Sequence, residues 1–178
     1  MKKALAWALL ALLGSTPAAA EGVSESPAHR FTVYAHSGAG IYLSDTRTLG
    51  GIGGGVGVRD TLDDRFILQA DLGYLGAIGN AAQVRVGAGL QRRGMYTPAA
   101  LLVLTGMVGS GLHFLTPEHP TPISGPLFTL GVQLAPLRFT TPTGMQVSVL
   151  ELGLGASPEL PGLGLSYQVN LLEVGTSF

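Results

Sequence analysis

Residues 67–76 read ILQADLGYLG, a run in which Gln69 and Asp71 alternate with hydrophobic neighbours. In a pleated strand successive side chains point to opposite faces. Phe66, Leu68, Ala70, Leu72 and Tyr74 therefore share one face, and Gln69, Asp71 and Gly73 the other. One face is oily and the other polar. Such a strand fits a soluble sheet with its oily face inward, or a membrane barrel with its oily face outward, and the surrounding sequence has to decide.

Composition favours the second. Charged residues make up 12% of the 178 residues, where soluble domains run at about 25%. Hydrophobic residues reach 46%, and there are 27 glycines and no cysteine. Too few charges are present to keep a soluble surface wet. The absence of cysteine excludes a disulfide framework and an acylated lipoprotein anchor.

The chain opens MKKALAWALLALLGSTPAAA: two lysines, an apolar run too short to span a bilayer, then small residues. This predicts a secretory signal peptide over residues 1–20, cleaved after Ala20, and a flexible periplasmic leader over 21–29. Lys2 and Lys3 are the only lysines. Without them 8 arginines face 11 acids, a net charge of −3 (8 − 11) for the mature chain. No concentrated basic surface exists for nucleic acid.

Eight segments with strand character follow, at about 31–43, 50–59, 66–76, 83–91, 96–115, 127–139, 145–155 and 163–178. Most alternate cleanly, as where Val84, Val86, Ala88 and Leu90 oppose Gln83, Arg85, Gly87 and Gly89. The alternation slips at Val149–Leu150 and at Leu171–Leu172, and each slip requires a bulge. Strands of about ten residues cross a bilayer when tilted. If the leader starts in the periplasm, DTLDD, RRGM and TTPTG become short periplasmic turns and TPEHPTPISG a long outer loop, the asymmetry of outer-membrane barrels. Phe31, Phe66, Tyr96, Phe139 and Phe178 fall near one set of strand ends, and Tyr42, Tyr74, Phe114, Phe128 and Tyr167 near the other. That spacing matches interfacial aromatic girdles. The prediction is an all-β fold over 30–178, an eight-stranded antiparallel up-and-down transmembrane β-barrel.

The signal peptide, eight amphipathic strands, turn asymmetry and terminal LLEVGTSF resemble the small eight-stranded outer-membrane β-barrels of Gram-negative bacteria, the group of the OmpA transmembrane domain and OmpX. The resemblance implies an outer-membrane location, a monomer surrounded by outer-membrane lipids, and assembly by the barrel-assembly machinery. Phe178, Val174 and Leu172 match the C-terminal assembly signal of that family, whereas Thr176 stands where it favours a bulky apolar residue. Fold does not fix activity, so a structural or surface-interaction role is the expectation.

Inward positions by parity are His36, Arg59, Gln69, Asp71, Arg85, Gln91, His113, Gln133 and, past the first slip, Glu151. A charge in a narrow lumen must be paired or hydrated. Asp71 and Arg85, on consecutive strands of one hairpin, are predicted to form an ion pair, with Gln69, Gln133 and Glu151 extending a polar plug. The bland reading of the same residues is barrel filling without further role. Inward glycines either leave a thin aqueous path or flatten the barrel.

Three rivals remain. Ala99–Leu115 is apolar on both faces and as long as a short transmembrane helix, although Gly106, Gly109 and Gly111 weaken one. A soluble exported barrel binding a small apolar ligand conflicts with the charge count. A lipid A deacylase-like enzyme would need a nucleophile and base, but His36 and Ser37 point to opposite faces of one strand. Glu118 and His119 are only two potential metal ligands. No catalytic residue, metal or cofactor is assigned.

Overall fold

The computed structural model describes residues 28–118, 120–123, 125–158 and 162–178. The predicted signal peptide, its cleavage site and the leader before Ala28 lie outside the described residues, as does His119. Among the described residues there are nine strands: β1 (His29–Leu43), β2 (Arg47–Leu62), β3 (Phe66–Gln91), β4 (Ala99–Ser110), β5 (Leu112–His113), β6 (Leu127–Ala135), β7 (Leu137–Thr140), β8 (Met145–Pro158) and β9 (Leu163–Ser177).

They build eight barrel staves. The first half of β3 pairs with β2 and its second half with β4, so β3 supplies two staves. β6 and β7 are one stave interrupted at Pro136, and β5 is a short extension of β4 that pairs with β2. β1 pairs antiparallel with both β2 and β9, which closes the sheet. Closure satisfies the backbone N–H and C=O groups without water and leaves no edge strand. The end carrying Ala28 and Phe178 is called proximal here, and the opposite end distal.

The alternation of ILQADLGYLG is realised as an inside-out cylinder. Ile52 is 75% exposed and Leu130 63%, whereas Arg59 and Arg138 are 0% exposed and Glu173 2%. An aliphatic belt that encircles the molecule far exceeds the few hundred Å² of contiguous apolar surface that water tolerates. Its matching solvent is hydrocarbon. This arrangement overturns the soluble rival, which needs grease at the centre. The helical rival also fails: Ala99–Ser110 is strand, and no helix among the described residues is long and apolar enough to cross a membrane. β4 is apolar on both faces because Ala99, Leu101 and Val103 pack inward against Ile67 and Ala135.

The two phase slips are real, and a third joins them. Consecutive residues face outward at Pro136–Leu137, Val149–Leu150 and Leu171–Leu172. The ladders between these strands stay in step across the slip: Leu134 opposes Leu152 and Leu137 opposes Val149, while Val149 opposes Leu172 and Glu151 opposes Asn170. A slip in one strand alone would mispair both neighbours, but a slip carried across adjacent strands preserves their pairing. At the β9–β1 seam the surplus residue appears as a bulge, with Ser37 opposite Leu172 and Gly38 opposite Asn170. A sixth strand alternating without interruption over 127–139 would send Arg138 to lipid. The slip at Pro136 turns it inward.

Several single positions also differ from their expected places. Tyr42 is buried inside the barrel rather than standing in the distal girdle. His113 is exposed, because the chain leaves β4 after Ser110 and crosses to pair with Arg47 of β2. The inward glycines are filled space: a methyl group on Gly57 would meet the Tyr34 ring at 2.6 Å, and one on Gly164 the Tyr42 hydroxyl at 1.7 Å.

Leu150 adopts φ 62° within the slip, a left-handed conformation that costs a non-glycine residue about 1–2 kcal/mol. Leu150→Val, which is β-branched and fits that region worse, is expected to lower the urea midpoint of the barrel folded in lipid vesicles, while Leu150→Gly leaves it unchanged or higher. Equal losses in both variants would show that the backbone there is unstrained.

Candidate functional site

The lumen is the only part of this molecule where charge is concentrated away from water among the described residues. The barrel places it by parity: every second side chain points at the axis, and eight staves leave room for side chains alone. Among the described residues, three arginine–carboxylate pairs occupy it.

The first spans the two halves of β3. Arg85 Nε donates to Asp71 Oδ1 at 2.6 Å. Arg85 Nη1 donates to Gln168 Oε1 at 2.8 Å, and Nη2 lies 2.9 Å from His36 Nε2. A guanidinium only donates, so His36 Nε2 is the acceptor in that contact. The second carboxylate oxygen of Asp71 accepts the Tyr34 hydroxyl at 3.0 Å.

The second pair is Arg59 with Glu173, a bidentate fork at 2.8 and 2.9 Å. Arg59 also donates to Gln69 Oε1 at 3.2 Å and to Gln146. Its guanidinium carbon stands 4.5 Å from the centroid of the Tyr34 ring. Tyr34 thus couples both pairs, by its hydroxyl to one and its ring face to the other. The third pair is Arg138 with Glu151 at 2.7 Å; the other Glu151 oxygen accepts from Gln133 at 2.7 Å and Asn170 at 3.1 Å.

Three buried guanidiniums therefore meet three buried carboxylates, and a fourth buried arginine, Arg47, donates to the Gly125 carbonyl at 3.3 Å and stands 6.0 Å from the centroid of the Tyr42 ring. Distal to the three pairs lies a cavity of about 30 Å³ walled by Gln83, Thr105, Thr129, Gln133, Ser166 and Gln168, room for roughly two waters. Tyr42, Leu49, Met107 and Leu127 form an apolar layer in the same interior.

The five sequence-selected lumen residues thus divide among three clusters. Asp71 meets Arg85, and Gln133 meets Glu151, but Gln69 serves Arg59 instead of extending the Asp71 pair. Arg138, Glu173, Asn170, Gln146 and Tyr34 were not singled out. Parity lost Arg138 and Glu173 because each lies beyond a slip, yet a simpler signal was present: a charge on a membrane-spanning strand belongs on its inner face. Phe178, Val174 and Leu172 lie on the outer wall, and Phe178 exchanges backbone hydrogen bonds with Phe31 at 2.9 and 3.2 Å. His36 is buried and Ser37 exposed, on opposite faces of β1.

Removing one member of a buried pair strands its partner. Glu173→Ala is expected to destabilise the barrel by about 3–5 kcal/mol, read by urea unfolding in vesicles. Arg59→Met combined with Glu173→Leu is expected to recover most of that loss. Independent, additive effects of the two substitutions would argue against the pair.

No family model and no curated protein matches the chain. Solved structures do resemble it, two of them as follows. Neisserial surface protein A superposes with a TM-score of 0.52 at 11% identity, covering 83% of this chain and 97% of that one. Ail, the attachment invasion locus protein of Yersinia pestis, was solved with the heparin analogue sucrose octasulfate. It superposes with a TM-score of 0.51 at 13% identity, covering 84% of this chain and 99% of that one. At such identities the likeness is one of fold, and this chain has the fold of the small eight-stranded outer-membrane β-barrels.

Proposed function

We propose that the chain is a monomeric outer-membrane barrel with a closed, ion-paired lumen, acting as a structural or surface-contact protein rather than as a pore. The carrying observation is the set of three guanidinium–carboxylate pairs, each linking different staves across the interior. A conducting path would have to pass through them. Breaking one pair by removing a partner is costly in a low-dielectric interior.

Orientation follows from loop length. The proximal connections at residues 63–65 and 141–144 are short and that at 92–98 is of middle length, whereas the longest connection, from β5 to β6, is distal. Short turns belong to the periplasmic side of outer-membrane barrels. The distal loop then meets the outside, presenting Leu112, Phe114 and Leu115, all exposed. Surface proteins such as those named above use the same scaffold, which supports a contact role at this end. The lipid-facing column Leu172, Val174 and Phe178 at the closing seam suits recognition by the barrel-assembly machinery, with Thr176 weakening the column.

Two measurements test the reading. A folded membrane barrel resists dodecyl sulphate until boiled, so unheated protein is expected to migrate apart from heated protein, and to fractionate with the outer membrane. In planar bilayers the protein is expected to carry no steady current. A stable open conductance would overturn the closed lumen, and release by osmotic shock would overturn the membrane assignment.

A further inference from the structure

The proximal rim sorts its charges by side. In the turn between β2 and β3, Asp63 and Asp64 adopt left-handed backbone at φ 52° and 57°. Both carboxylates are engaged toward β1: Asp63 accepts the Ala28 N–H at 3.1 Å, and Asp64 pairs with Arg30. Asp60 is likewise engaged, by His29 at 2.8 Å. Arg65, Arg92 and Arg93 have no such partner, for among the described residues none has a carboxylate within ion-pair distance.

These arginines form one patch because their turns are tied together. Gln91 N–H donates to the Arg65 carbonyl at 2.8 Å, Gln91 Nε2 to the Asp64 carbonyl at 3.4 Å, and Arg93 Nε to the Asp63 carbonyl at 2.9 Å. Arg92 and Arg93 are exposed and Arg65 half-buried. Beside them, Phe66, Met95 and Tyr96 are exposed on the apolar wall. The distal end offers nothing comparable, since its one arginine, Arg47, is buried.

Uncompensated guanidiniums bordering a greasy wall match a molecule with an anionic head and hydrocarbon tails. We propose that the proximal rim binds an anionic glycerophospholipid of the adjoining leaflet, its phosphate among Arg65, Arg92 and Arg93 and its acyl chains along Phe66 and Tyr96. Guanidinium recognises phosphate oxygens through paired N–H donors, and interfacial arginines gain from an anionic leaflet. The aromatic wall selects a lipid over free phosphate. This inference rests on the membrane orientation proposed above.

The test uses the full chain folded in mild detergent and offered phosphatidylglycerol or phosphatidylcholine with identical acyl chains, with retained lipid read by native mass spectrometry. Phosphatidylglycerol is expected to bind at least tenfold more tightly. Arg92→Gln, whose side chain makes no hydrogen bond within the protein among the described residues, is expected to lose roughly fivefold of that preference. Arg65→Gln, Arg92→Gln and Arg93→Gln together are expected to abolish it. Should the triple variant not fold, the single one carries the test. Equal retention of both lipids, or a preference untouched by Arg92→Gln, overturns the proposal; displacement by equimolar inorganic phosphate replaces the lipid site with a bare anion site and overturns it too. The heat-dependent gel shift of the same sample separates the two readings: its absence sinks the membrane barrel, whereas an intact shift without lipid preference sinks only this site.

Discussion

A guanidinium inside a cylinder immersed in hydrocarbon has nowhere to go but to an anion on another stave. That constraint organises this protein. Arg59, Arg85 and Arg138 each reach a carboxylate at 2.6–2.9 Å, and each carboxylate is then completed by neutral donors or by the arginine's own fork. Amides and hydroxyls do the completing because they satisfy lone pairs without adding charge. Tyr34 touches two of the pairs at once, so the interior behaves as a connected polar core whose members depend on one another. The barrel has turned the usual division of a globular protein around, with directional bonds at the centre and undirected apolar surface outside.

The same constraint explains the slip through Pro136, Leu150 and Leu171. Regular alternation would carry some of Arg138, Glu151, Asn170 and Glu173 to the lipid face, where a charge costs about 2–4 kcal/mol near the midplane. A slip carried in step across adjacent strands turns all four inward at the expense of one strained leucine and one bulge. Two of the three ion pairs depend on it. The run of paired apolar residues it leaves outside, Val149–Leu150 and Leu171–Leu172, is harmless only because the solvent there is hydrocarbon.

The two ends of the barrel differ in what they can meet. Proximally, short turns carry exposed arginines next to an aromatic wall, a surface suited to a lipid head and tails. Distally, Tyr42 and Arg47 are buried, and exposed Leu112, Phe114 and Leu115 share that end with exposed Asp45 and Glu118.

How much of this was written in the chain follows from the range of each interaction. Alternation is a property of consecutive residues, so ILQADLGYLG and its fellow strands declared their faces, their number and the inside-out barrel from sequence alone, and the low charge fraction named the solvent. Asp71 and Arg85 were legible as partners because one tight hairpin joins them. Arg59 with Glu173 was not: the two are 114 residues apart and meet only when β9 closes on β1. The slip at Pro136 was equally hidden, since it exists to keep neighbouring strands in register, and register belongs to the sheet. Sequence determined which faces are wet and which are oily; tertiary closure decided which charge answers which, because a pair across a lumen is set by strands that are neighbours in space and strangers in sequence.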